Sequence, residues 1–386
     1  MGRKIITVDI SDFEERKQEI ATQLLEASKD VGFFYIGGHG IPEEDFEKVL
    51  KAGQAFLALP DEVKAQWPFN PDSYLGHRGP DELETVTGGY DFKNQTFAGE
   101  EWPELLGEEW RNTALDFQEK VHKVAVTILK ALFIALGRDE NIIDDAFDIT
   151  LEENPSFVAW NYYPPMTEEQ EAAAKNGKLP PRLHAHADMD VLTILYQREG
   201  DNGLEIAPGN EIEDLSLIED VGNAWNDMPV AREWTPLDPK PGLLTVNIGD
   251  GLTRWTDGLL KSTYHRVHAP KEGDPKGARY SIPYFVNPKL NYVIQGPEKR
   301  FSPVTGFDLL SKTGNAYVAR KNDPEKTWQK KAYTGEVADL SAMLAANAAT
   351  AVEALGYRVT ALQTIGCCQA LFTFHNSRVD NKAPRY

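Results

Sequence analysis

At 386 residues the chain can form one large domain or two ordinary ones, and its 41% hydrophobic and 26% charged content suits a globular protein with a sizeable core. A net charge of −20, from 40 basic against 60 acidic side chains, disfavours phosphate backbones and anionic membranes, so neither nucleic acid nor membrane is expected as a partner. Cys367 and Cys368, the only cysteines, are adjacent, which excludes a disulfide framework and a cysteine-rich zinc module.

No long apolar run opens the chain, so no cleaved signal peptide is expected. The longest apolar stretch, Val124 to Leu136, is broken by Lys130 and is too short to span a bilayer. These features predict a cytoplasmic protein.

Ile5 to Val8 reads as a short strand. Ser11 to Glu14 has the form of a capping box, and Ile20, Leu24, Leu25 and Ala27 then make a helical stripe. Val31 to Ile36 reads as a buried strand ending in a glycine turn, where His39 is expected to be a hydrogen-bonded structural residue. Pro42 opens a second helix that runs to Phe56. From Asn70 to Leu105 glycine, proline, aromatic and charged residues mix without a period, which predicts a long, partly ordered loop. Trp110 to Leu136 is the clearest helix, with Val121, Ala125, Ile128, Leu132 and Ala135 on one stripe and His122 beside it as a helix-surface or packing residue.

After Asn154 the texture changes to short β-like runs between turn residues. The expected strands are Phe157–Tyr163, Leu183–Asp188, Leu192–Gln197, Leu204–Ile206, Leu243–Ile248, Ser262–Val267 and Tyr280–Val286. An acidic surface insertion is expected over Pro208 to Arg232, its carboxylates forming a solvated face. Ala338 to Leu355 is alanine-rich and reads as helix, followed by an apolar tail. The expected organisation is a mixed N-terminal region over 1–150, a β core over 151–331 carrying the 208–232 insertion, and a helical extension over 332–386.

The chemistry concentrates in the stretch from Arg182 to Gln197. Residues i and i+2 of a strand share a face, so the imidazole of His186 and the carboxylate of Asp188 would converge on one point. A second histidine would complete a two-histidine, one-carboxylate face, which holds ferrous iron with coordination positions left open. His265 is the best candidate. His184 and Asp190 fall on the same alternation, so a zinc or cupin-like site built from His184, His186 and His265 is an alternative. The preferred roles are packing or ligand support for His184 and a solvent or salt-bridge role for Asp190.

A second constellation is Arg279 with Ser281, two apart on one strand face, offering a guanidinium fork and a hydroxyl to a carboxylate. Asn161 and Tyr163 could add an amide and a phenol from a neighbouring strand.

These motifs, in order, resemble the isopenicillin N synthase-like family of Fe(II)- and 2-oxoglutarate-dependent dioxygenases. The family's marks read here as His186-Ala-Asp188, Leu192-Thr-Ile-Leu-Tyr-Gln197, Asn247-Ile-Gly-Asp250, Lys261-Ser-Thr-Tyr-His265-Arg-Val267 and Arg279-Tyr-Ser281. The runs Gly32 to Gly40 and Leu59 to Lys64 match its N-terminal region, and the resemblance extends from about Ile5 to about Pro288.

The resemblance implies a mainly β fold with flanking helices, built on a distorted double-stranded β-helix of jelly-roll type. It implies Fe(II) on His186, Asp188 and His265, and 2-oxoglutarate held by Arg279 and Ser281 with Tyr163 and Asn161 nearby. With dioxygen, decarboxylation to succinate would be coupled to oxidation, most simply hydroxylation, of a small molecule. Tyr74, His77, Arg78, Tyr90 and Phe285 are the implied substrate contacts. Two other readings stay open at this point: an oxidase of the same fold that does not use 2-oxoglutarate, and a non-catalytic ligand-binding relative.

Overall fold

The computed structural model describes residues 4–71, 73–79, 83–89, 96–97, 100–101, 106–150, 154–175, 181–211, 234–271, 273–311, 357–365 and 369–376. Two compact units divide the chain, Met1–Lys330 and Lys331–Tyr386.

The first unit begins β1 (Thr7–Asp9), α1 (Phe13–Asp30), β2 (Phe33–Gly37), α2 (Glu43–Leu57), α3 (Asp61–Lys64), β3 (Gly76–Arg78) and β4 (Glu84–Gly88). After the short hairpin β5 (Thr96–Phe97) and β6 (Glu100–Glu101) come the long α4 (Gly107–Ala135), α5 (Ile142–Ala146), β7 (Phe157–Tyr163) and α6 (Glu168–Lys175). The chain then runs through β8 (Leu183–His186), β9 (Leu192–Tyr196), β10 (Leu204–Glu211), β11 (Thr235–Pro236), β12 (Leu244–Ile248), α7 (Asp250–Trp255), β13 (Thr263–Val267) and β14 (Arg279–Val286). It closes with the small pair β15 (Val293–Ile294) and β16 (Val304–Thr305).

Two sheets make the core, one of eight strands in the order β1-β2-β12-β9-β14-β7-β4-β3 and one of four in the order β11-β10-β13-β8. Among the described strands β1 and β2 pair in parallel, because α1 carries the chain back between them, and the other strand pairs are antiparallel. Strands from the N-terminal third therefore extend the same sheet as those from the centre.

Alternation along these strands separates two apolar layers. Phe34, Ile36, Val86, Val158, Trp160, Ile194, Val246 and Tyr284 face outward into a core shared with α1, α2 and α4. Each such side chain contributes roughly 1.5–3 kcal/mol by leaving water. Gly53 lets α2 approach closely, since a Cβ there would come within 2.1 Å of Trp160. The residues one step along, Phe33, Tyr35 and Leu195, face inward and pack with Leu204, Ile206 and Leu237 of the smaller sheet. That inner space between the sheets is where the chemistry must lie.

Several expectations need correction. The capping box does not form: Ser11 Oγ donates to Asp9, and the N-cap residue Asp12 has φ 52° and no side-chain cap bond. The stretch from Asn70 onward is not all loop, because β3 and β4 add two strands to the large sheet. Strand β10 continues past Ile206 through Pro208 to Glu211, with a register shift, so the insertion starts later than expected. In the second unit, the expected helical extension instead contains an antiparallel hairpin, β17 (Tyr357–Ile365) with β18 (Gln369–Asn376). Their β-branched and aromatic content favours a pleated strand over a helix. The alanine-rich segment 338–355, residues 212–233 of the insertion, and Cys367 and Cys368 lie outside the described residues.

Candidate active site

Strands β8 and β13 pair so that His186 and His265 stand directly opposite each other. Their rings lie 4.2 Å apart, centroid to centroid. Asp188 follows β8 by two residues, and its Oδ1 is 3.6 Å from His186 Nε2 and 3.7 Å from His265 Nε2. One donor atom from each of the three lies within 4.8 Å of the others.

Hydrogen bonds behind these groups aim them. The Nδ1–H of His186 donates to the His184 carbonyl at 2.8 Å, and that of His265 faces the Thr263 carbonyl at 3.3 Å. Each bond fixes the tautomer that leaves the Nε2 lone pair turned towards Asp188. Asp188 uses Oδ2 to accept from Thr193 Oγ1 at 2.6 Å and Asn247 Nδ2 at 2.9 Å, which turns Oδ1 to the histidines. Phe33 meets the His265 ring edge-on at 5.3 Å.

The electrostatics are those of a buried acid cluster. Burial opposes charge on Asp188, but the two imidazoles and the bonds from Thr193 and Asn247 outweigh it and hold this carboxyl below its usual range. Burial, aided by the Asp188 charge, pushes Asp190 well above that range. Thr193 has one proton to give, and Asp188 takes it. Thr193 Oγ1 also stands within donor range of Asp190 Oδ2, at 3.0 Å. Burial also raises Asp250 to about 7.

Asp190 is therefore buried beside Asp188 rather than solvated or salt-bridged, which corrects the sequence expectation. His184 is exposed and contributes its backbone carbonyl, so the alternative three-histidine site does not form.

On the inner face of the large sheet, Arg279 pairs across the strands with Tyr163, and Ser281 with Asn161. The Arg279 guanidinium lies 4.6 Å from the Tyr163 ring centroid, and its Nε donates to the carbonyls of Asp201 and Asn202, both at 3.1 Å. Its Nη1 is buried and has no hydrogen-bond partner. A buried, unpartnered guanidinium nitrogen beside a serine and a tyrosine is a fitting receptor for a carboxylate. Asn161 is oriented by Thr85, which donates to its Oδ1 at 2.8 Å.

The implied substrate contacts divide by strand parity. Phe285 lies opposite Thr193 on β9 and Phe157 on β7, with the two phenyl rings 4.9 Å apart. Tyr74 continues this aromatic line at 5.2 Å from Phe157. Arg78, across from Thr85, stacks over Tyr74 at 5.0 Å and Phe69 at 4.8 Å. His77 has the opposite parity. It faces the helices, where its Nε2 meets Glu84 at 2.7 Å and Glu84 also receives Lys64, so it lies on the opposite face of the strand from Arg78. Tyr90 lies outside the described residues.

His39 and His122 are structural as expected. His39 accepts from the Ile41 amide, and His122 is buried between the Tyr284 hydroxyl and the Phe147 carbonyl. The roles of Thr193 and Asn247 on Asp188 had no signal in the sequence beyond their place in motifs. Only the register of β9 with β12, which sets the two side by side, reveals them.

Comparison with known proteins agrees with this geometry. Residues 5–117 match the model for the non-haem dioxygenase in morphine synthesis N-terminal family, and residues 154–288 match that for the 2OG-Fe(II) oxygenase superfamily. Among curated relatives, the 2-oxoglutarate-dependent dioxygenase traH of Penicillium crustosum is 27% identical over 73% of this chain and 83% of its own length. A bi-functional coumaroyl CoA and feruloyl CoA ortho-hydroxylase of Ipomoea batatas is 28% identical over 76% of this chain and 72% of its own. The solved structure of Neurospora crassa T7H with alpha-KG and thymine shares the fold, with TM-score 0.67 and 22% identity over 81% of this chain and 97% of that one. Motif order, a double-stranded β-helix and both family models lead to one conclusion: the chain belongs to the 2OG-Fe(II) oxygenase superfamily and is an Fe(II)- and 2-oxoglutarate-dependent dioxygenase.

Proposed function

We propose that His186, Asp188 and His265 hold the Fe(II), that Arg279 and Ser281 hold the far carboxylate of 2-oxoglutarate with Tyr163 and Asn161 beside it, and that a small organic molecule is hydroxylated. The observation that carries this reading is the convergence of two Nε2 atoms and one Oδ1 within 4.8 Å, each turned to the same point by a hydrogen bond on its far side. Two imidazoles and one carboxylate suit ferrous iron and leave half its positions open. Iron bound there supplies the activation of dioxygen that couples decarboxylation of the keto acid to substrate oxidation.

The protein's own part is placement. Thr193 and Asn247 hold Asp188, and Arg279 fixes the keto acid's far end. The aromatic line from Phe285 through Phe157 to Tyr74, ending at Arg78, offers an apolar wall beside Thr193 with a cation at one end. That wall supports a substrate with a planar, apolar body. It also matches the neighbour solved with thymine, which is itself planar. We place the enzyme in the cytoplasm, a reading supported by a composition with two adjacent cysteines and no disulfide framework.

The test is a substrate screen on anaerobically reconstituted iron protein, reading succinate. Succinate released in step with product is the expected result. Product formed without succinate would identify an oxidase that does not use 2-oxoglutarate, and no turnover on any compound, with 2-oxoglutarate bound, a non-catalytic relative. In the same protein, Thr193→Val removes the donor to Asp188 while keeping the side-chain shape. Metal affinity is expected to fall about 10- to 100-fold, as loss of a ligand's hydrogen-bond partner does, read by Mn(II) titration.

A further inference from the structure

Arg182 stands immediately before β8, four residues ahead of His186. Its half-buried side chain crosses from the four-stranded sheet to the end of β7, where Nη2 donates to the Pro164 carbonyl at 3.2 Å. Pro164 follows Tyr163, the residue whose ring carries the Arg279 guanidinium. Arg182 and Arg279 thus reach one end of the barrel from opposing sheets, and both line a cavity of about 20 Å³. A space of that size admits about one water or carboxylate oxygen.

Two cations so placed repel each other. Burial, and after it the Arg279 charge, lowers the Arg182 pKa. The acids lining the same cavity are engaged elsewhere. Asp201 Oδ2 accepts from Arg198 Nε at 3.0 Å and its Oδ1 from the Tyr280 amide at 3.4 Å, while Asp274 Oδ2 accepts from the Lys271 amide at 2.7 Å. Among the described residues Arg182 and Arg279 donate to carbonyls and to no carboxylate. In a chain with a net charge of −20, both guanidiniums are thus left without a carboxylate partner among the described residues. Uncompensated charge in a low-dielectric interior is costly unless an anion takes the place of solvent.

We infer that Arg182 is a second positioning cation for 2-oxoglutarate, acting with Arg279 on the far carboxylate and so favouring a dicarboxylic keto acid over a monocarboxylic one. The inference rests on the assignment of Arg279 to that carboxylate. Arg279 contacts it directly, and Arg182 adds positive potential and one bridging water from the facing sheet.

The experiment measures dissociation constants by calorimetry on Mn(II)-loaded protein, without turnover, for 2-oxoglutarate and for 2-oxopentanoate, which has the same chain length and one carboxylate. Arg182→Gln is expected to weaken 2-oxoglutarate about ten-fold and to leave 2-oxopentanoate unchanged. Arg182→Lys should recover most of the loss, and kcat at saturating 2-oxoglutarate should not move. Arg182→Met, which keeps the apolar stem, replaces the Gln variant if that one fails to fold. Unchanged 2-oxoglutarate binding, or equal weakening of both acids, overturns the inference and leaves Arg182 as a tie between β8 and Pro164. Arg279→Gln separates the two levels. If it weakens 2-oxoglutarate while the Arg182 variants do not, only the second cation is lost; if it too is silent, the cosubstrate assignment itself falls.

Discussion

Replacing His186, Asp188 or His265 singly by alanine is expected to abolish succinate formation and to lower metal affinity by more than the roughly 10- to 100-fold that loss of a ligand's hydrogen-bond partner costs. Each substitution removes a donor atom, whereas Thr193→Val only misaligns one. Asp188→Ala should be the most severe, because it also leaves the Asn247 amide without its buried acceptor. The β8–β13 pairing is a backbone ladder and does not depend on the imidazoles, so the histidine variants should keep their circular dichroism. Metal analysis and a succinate assay on the same preparations decide the matter. Full turnover in any one variant removes that residue from the metal site.

Arg279→Gln carries the second large effect. The guanidinium offers a carboxylate charge-assisted bonds, each about 1.5–3 kcal/mol, so 2-oxoglutarate should bind about 10- to 100-fold more weakly. Metal affinity should stay as it was, because Arg279 touches none of the three proposed ligands. Part of the loss comes from the Asp201 and Asn202 carbonyls and the Tyr163 ring, which also lose their cation. Arg279→Lys distinguishes the contributions: it retains the charge without the planar fork and should fall between wild type and Gln. Equal weakening of metal and cosubstrate would instead indicate a general collapse of the inner face.

Much of this was legible in the sequence, and the limits have physical causes. Strand β7 agrees with its expected bounds, and β9, β12, β13 and β14 agree within one residue, because alternating or continuous apolar runs between turn residues leave little choice. The three metal candidates were visible for a different reason, since ligand chemistry tolerates few residue types. Strands β3 and β4 were hidden. Their residues include glycine, threonine, histidine and arginine, and they become strands because β4 pairs along β7 and β3 along β4, rather than by local preference. His77 and Arg78 are neighbours in sequence, yet one step along a strand sends them to opposite faces. Asp190 was misjudged because the strand carrying His186 ends there, so alternation no longer governs residues beyond it. What it does instead depends on Thr193 of β9 and on Gly249 at the start of α7.

The turn that bears Asp188 is stitched to a distant corner of the chain. The Asp250 amide donates to the Asp188 carbonyl, those of Gly249 and Gly251 to Val191 and Asp190, and Gly249 sits so near Asp190 that a Cβ would come within 2.2 Å of its backbone oxygen. The donor atoms therefore gain their spacing only once strands far apart in the chain have docked. Metal uptake is then a late event in the life of the polypeptide, a check on a finished barrel rather than a seed for it, and chelation should empty the centre while the scaffold stays assembled.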